Sequence, residues 1–141
     1  MKPLFLAAAE ALLILATGVN AASAQDTSLQ RTGAMEYRIS CAACHGEDAR
    51  GAGPLASVLK VRPTDLTQLS KNNQGSFPFL KLVQIIDGRT QVSGHGTREM
   101  PSFGGRYQEQ IGQAYGPYGT ETFIRARILE LVYYLNTIQK E

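Results

Sequence analysis

Apolar residues recur at steps of four and three along the C-terminal stretch, at Ile124, Ile128, Leu131, Leu135 and Ile138. That period lays them on one face of an α-helix and predicts a helix from Thr120 to Gln139. Thr120 or Thr122 is placed to cap it, Glu121 suits its first turn, and Tyr133 and Tyr134 add bulk near its middle. Leu29 to Cys44 predicts a second helix, with Gly33, Tyr37 and Cys41 stacked at i+4 spacing. A third is expected over Phe77 to Asp87, with Ser76 as cap, Pro78 early, Gly88 as stop, and Leu80, Val83 and Ile86 facing the core. Thr64 to Asn73 predicts a shorter helical turn just after Pro63, and the Gly-, Gln- and Tyr-rich stretch from Gly105 to Gly119 a surface loop with at most one turn. No segment has the signature of a strand. The expected fold is all-α, with three to five short helices. The apolar stripe of the last helix must be buried, and Gly33 offers a site of close approach, so the first helix is expected to cross the last.

The N-terminus follows a different pattern. Lys2 precedes a mostly apolar run from Leu4 to Val19, and Ala22-Ser23-Ala24 offers small residues where a signal peptidase cuts. The run is shorter than the roughly 20 residues of a spanning helix, and Glu10 interrupts it. Residues 1–24 are therefore expected to be a Sec-type signal peptide, with residues 25–141 exported as one domain into the periplasm and no stable membrane insertion afterwards. Lys2 and Glu10 leave together, so the net charge stays at +2. So small a charge gives no reason to expect nucleic acid or an anionic membrane as partner.

The two cysteines are Cys41 and Cys44, and the residue after them is His45. C-x-x-C-H is the signature of covalent haem c attachment. Cysteines at i and i+3 lie one turn apart, so both sulfurs reach the vinyl groups on one edge of a porphyrin, and His45 is carried beneath the ring as an iron ligand. Three other uses of the motif fit less well. A thioredoxin-like pair wants a strand before it and a helix after it, the reverse of the order here. Zinc wants four ligands, and beyond the motif only His95 and carboxylates remain. A disulfide would leave His45 without a role.

Iron held this way needs a ligand opposite His45. Met35 lies on the helix that feeds the attachment site and would have to double back across the ring. Met100 stands in Gly94-His95-Gly96-Thr97-Arg98-Glu99-Met100-Pro101-Ser102-Phe103-Gly104, a glycine-bounded segment in which Pro101 favours an extended Met100. Met100 is the expected second ligand, with His95 as the alternative. A thioether favours reduced iron and raises the potential relative to a bis-histidine site.

Gly33 and Tyr37, Cys41-Ala42-Ala43-Cys44-His45-Gly46, Pro63, Met100-Pro101 and the aromatic-bearing last helix together resemble the class I cytochromes c, over nearly all of the chain after residue 24. Pro63-Thr64-Asp65-Leu66-Thr67, Ser76-Phe77-Pro78, Ile86-Asp87-Gly88-Arg89 and His95-Gly96 are similar to a group of bacterial monohaem members, which often carry Trp where Phe103 stands here. The resemblance implies the cytochrome c fold wrapped round one haem, with Gly33 and Tyr133 or Tyr134 at the helix crossing. It also implies that the Pro63 carbonyl accepts the Nδ1 hydrogen of His45. The implied function is single-electron transfer, free or as the cytochrome subunit of an oxidoreductase. Implied partners are a dehydrogenase as donor and an oxidase or another cytochrome as acceptor. Lys60, Arg62, Lys71, Lys81, Arg89 and Arg98 are candidates for a docking rim. The rival function is a peroxidase-type haem enzyme in which Met100 leaves the iron.

Overall fold

In a computed structural model, the structure describes residues 19–88, 103–112 and 114–140. Five α-helices lie among them, and none of the described residues is in a strand. They are α1 (Val19–Ser40), α2 (Ala42–His45), α3 (Phe79–Asp87), α4 (Phe103–Ile111) and α5 (Gly116–Thr137). Three short 3-10 turns, Ala56–Val58, Leu66–Gln68 and Lys71–Asn73, shape the connection between α2 and α3.

The crossing of α1 over α5 organises the rest. A methyl group on Gly33 would overlap the Glu130 carbonyl and crowd the Tyr134 Cβ, so the absence of a side chain there brings the two backbones together. Tyr134 rather than Tyr133 completes the crossing, its ring tilted against that of Tyr37 with 5.5 Å between centroids. The stripe on α5 is buried as its period predicts: Ile124, Ile128, Leu131 and Leu135 join Val132 in the core, and Ile138 lies partly buried at its edge. No described helix is long and apolar enough to cross a membrane. The expected cleavage point after Ala24 falls in the opening turns of α1, while residues 1–18 lie outside the described residues.

Several local expectations need correction. The stretch after Gly105 is no loop, since residues 103–111 form α4. Phe103 and Tyr107 are buried one turn apart and Ile111 packs one turn further on, an i+4 ladder masked by the glycines between them. On α3, Leu80 is 75% exposed whereas Leu82 is 7% exposed. Leu82 and Ile86 are one turn apart and define the inner face, and Leu80, two residues before Leu82, is turned about 200° from it. Ser76 makes no cap, because α3 starts at Phe79 with Pro78 in the cap position. Thr120 and Thr122 lie inside α5, which starts four residues early with Pro117 in its first turn. Thr120 instead donates to the Gly112 carbonyl at the end of α4, at 3.1 Å.

The chain end closes the structure. Gln139 Nε2 donates to the Leu66 carbonyl at 2.8 Å, its Oε1 accepts from the Ser70 N–H at 2.9 Å, and the Lys140 N–H donates to the Thr67 carbonyl at 2.9 Å. Residues 66–70 are thereby fastened to the end of α5.

Gly33→Ala is expected to cost roughly 2–3 kcal/mol by forcing α1 and α5 apart, read by chemical denaturation of the purified protein. A cost below 0.5 kcal/mol would mean that the crossing is not close-packed.

Candidate functional site

α1 ends at Ser40, Cys41 turns the chain, and α2 is one turn long. A helix this short has no interior: the carbonyls of all four of its residues need partners from elsewhere. The following strap supplies them. Gly46 N–H donates to Ala42 at 2.8 Å, Leu55 to Ala43 at 2.8 Å, Gly53 to Cys44 at 3.0 Å and Gly51 to His45 at 2.7 Å. Tyr37, buried on α1, donates its hydroxyl to the Gly46 carbonyl at 2.6 Å. Cys41, Cys44 and His45 are thus held on a turn whose backbone is bonded to residues before and after it.

His45 is 6% exposed, and its Nδ1 lies 2.9 Å from the Thr64 carbonyl. A carbonyl only accepts, so Nδ1 must carry the hydrogen, which leaves the lone pair on Nε2, the nitrogen that would bind a metal. The acceptor is therefore the residue after Pro63, not Pro63 itself. The buried Pro63 turns its carbonyl against Gly51, where a methyl would overlap it. Successive carbonyls of an extended chain face opposite ways, so the next one, on Thr64, is directed at His45. Two further bonds fix this stretch: Leu66 N–H to the Ala49 carbonyl at 2.8 Å, and Asp65, whose Oδ1 accepts from both Thr67 N–H at 2.9 Å and Thr67 Oγ1 at 2.7 Å.

The thiols are separate, Cys41 buried and Cys44 half-buried. Burial, aided by the Glu36 carboxylate and Cys44, pushes the Cys41 thiol up to about 12. That is the opposite of the depressed value a thiol–disulfide exchange pair needs. Among the described residues no three His, Cys, Asp or Glu side chains converge as a metal site. Two thiols one turn apart beside an imidazole with a fixed tautomer fit covalent haem, with Cys41 and Cys44 as attachment points and His45 as iron ligand.

A family model described as cytochrome c oxidase, cbb3-type, subunit III matches residues 28–115, more than half of the chain. The chain belongs to that family. No curated protein and no solved structure matches it. The all-α arrangement of this cytochrome is the cytochrome c fold, and its domain carries haem-based electron transfer.

Met100, Pro101 and His95 lie outside the described residues, but the flanks of their segment do not. Asp87, at the end of α3, lies against Gly104 at the start of α4. Lys60, Arg62, Lys71 and Lys81 of the candidate rim are exposed, whereas Arg89 and Arg98 lie outside the described residues. The hydroxyls of Tyr37 and Tyr107 escaped sequence reasoning. The i+4 row of Gly33, Tyr37 and Cys41 placed Tyr37 on an inner face without saying what it bonds, and Tyr107 fell in a stretch expected to be a surface loop.

Two predictions follow from this geometry. Gly51→Ala should destabilise more than Gly75→Ala. Both have positive φ, at +77° and +82°, and share a conformational cost of about 1–2 kcal/mol, but only Gly51 faces a carbonyl, while nothing lies within 4 Å at Gly75. Equal losses in denaturant titrations would show that the Pro63–Gly51 contact carries no weight. The second concerns alkali. Burial raises the phenols of Tyr37 and Tyr107 well above the usual tyrosine value of about 10. The folded state keeps them neutral, so their stabilisation is complete below about pH 10 and is lost above it, as the unfolded chain ionises first. Stability measured from pH 8 to 11.5 should fall beyond 10, and Tyr37→Phe should flatten that fall while costing about 1 kcal/mol at neutral pH through the lost hydrogen bond.

Proposed function

We propose that this cytochrome is a periplasmic single-electron carrier with one haem c ligated by His45 and Met100, either free or as the cytochrome subunit of an oxidoreductase. The observation that carries the reading is the buried His45, whose Nδ1–H is anchored on Thr64 directly after the two cysteines. Haem bound there supplies an iron that takes up and gives back one electron. The chain's own work is to orient the imidazole, raise its basicity through the carbonyl bond and keep the site closed to water.

Three features support Met100 as the opposite ligand. It stands three residues before Phe103, which is buried in the core, and three residues of chain reach about 10 Å at most. The helix that Phe103 begins is bonded to α1, which leads into Cys41, through Tyr107 and Glu36. And methionine is the second ligand in the class I cytochromes that the sequence resembles. A site closed on both faces suits outer-sphere electron transfer rather than chemistry on a bound substrate, which favours a carrier over a peroxidase. The family description points to an oxidase of the cbb3 type as the class of partner, and the small net charge of +2 suits brief encounters.

Protein from the periplasmic fraction of a host that attaches haem c should begin at Gln25 and weigh one haem more than its amino acids. A mass equal to the polypeptide alone would end the reading. The oxidised protein should show the weak near-infrared band of sulfur ligation and take up cyanide slowly. Met100→Ala should abolish the band and speed cyanide binding, and Met100→His should lower the potential. Rapid cyanide binding by the unmodified protein, with no such band, would support the enzyme instead.

A further inference from the structure

One part-buried polar cluster lies where α1 leads into the attachment site. Glu36 lies half-buried on α1, five residues before Cys41, and its Oε1 receives two hydroxyls: Ser40 Oγ at 2.6 Å and Tyr107 Oη at 2.7 Å. Ser40 immediately precedes Cys41. Tyr107 arrives from α4, is 1% exposed and belongs to the same buried cluster as Cys41. Two donors converging on one oxygen mark the group as an acceptor, as a carboxylate must be. Among the described residues no lysine or arginine lies within ion-pair distance of it. Arg106 and Arg127 instead lie over ring faces, 5.3 Å from the centre of Phe103 and 5.2 Å from that of Tyr107. The charge of Glu36 is felt at Cys41, where it is the largest contribution after burial to the raised thiol.

We infer that Glu36 sets the reduction potential of this cytochrome, with Tyr107 and Ser40 as positioning residues that hold its carboxylate beside the Cys41 attachment point. The iron centre carries one more positive charge when oxidised than when reduced. A fixed negative charge near its attachment edge therefore favours the oxidised state and lowers the potential. The two hydroxyls hold the carboxylate in place and share part of its charge, so they limit its effect. The inference rests on haem attachment at Cys41 and is independent of the ligand opposite His45.

Redox titration of the haem-bearing protein tests it, with Glu36→Gln, Glu36→Asp and Tyr107→Phe alongside. Glu36→Gln removes the charge but keeps an oxygen acceptor. At a fixed ambient potential its ratio of reduced to oxidised protein should rise about fivefold over the unmodified protein. Glu36→Asp restores the charge and should return the ratio most of the way. Tyr107→Phe keeps the ring, removes a donor and unmasks the charge, so its ratio should fall. A purely structural role predicts another pattern: a loosened site admits water, which favours the more highly charged oxidised state and lowers the ratio in every variant. A Glu36→Gln ratio that is unchanged or lowered overturns the inference. Should Glu36→Gln fail to mature, a Tyr107→Phe ratio at or above that of the unmodified protein overturns it equally. Mass measurement separates the two levels: unmodified protein without covalent haem defeats the attachment reading as well, whereas haem-bearing variants with unmoved potentials defeat this inference alone.

Discussion

A helix of one turn cannot satisfy its own carbonyls, and the attachment site is built around that deficit. The N–H groups of Gly46, Gly51, Gly53 and Leu55 take up the carbonyls of α2 one by one. Each lost bond would leave a polar group near the core unpaired, at about 1–3 kcal/mol. The strap can therefore move only with the turn that carries Cys41, Cys44 and His45. Ala49, buried within the strap at φ +62°, occupies a conformation that costs an L-residue energy, and its carbonyl holds the Leu66 N–H. Strain at one residue is offset by the bonds that the sharp path permits.

From that strap the constraints run outward. Leu66 and its neighbours present the Thr64 carbonyl to His45, and Gln139 and Lys140 fasten the same segment to the end of α5. α5 is in turn pressed against α1 at Gly33, and α1 ends at Ser40, immediately before Cys41. The order of elements closes a ring: attachment turn, strap, imidazole acceptor, last helix, first helix, attachment turn. Electron transfer benefits from such closure, because a metal site that keeps its geometry in both oxidation states has little to rearrange on gaining an electron. The Tyr107–Glu36 bond adds a second tie, between α4 and the helix that leads into the motif.

Polar side chains carry much of this connectivity. Tyr107 and Gln139 join segments about seventy residues apart, and Tyr37 ties α1 to the start of the strap; each donates to a particular backbone or carboxylate oxygen. Apolar periodicity orients the helices but leaves their rotation and axial position loose. Directional bonds to single oxygens remove that freedom.

The sequence by itself determined the helical class, the buried stripe of α5, the close approach at Gly33 and the one-turn spacing of Cys41, Cys44 and His45. All of these depend on spacings of three and four residues or on a contiguous motif, which local geometry converts directly into position. Three features were decided only by the tertiary structure. The His45 acceptor moved from Pro63 to Thr64, because neighbouring carbonyls are chemically equivalent in sequence and differ only in which way a folded segment turns them. Leu82 replaced Leu80 on the inner face of α3, because a nine-residue helix rich in apolar residues does not say which side its neighbours will cover. And α4 formed across glycines, because burial of Phe103 and Tyr107 outweighs the roughly 1 kcal/mol that each glycine costs a helix. Propensity is a property of a segment alone, whereas burial and hydrogen-bond direction exist only once a second segment has arrived.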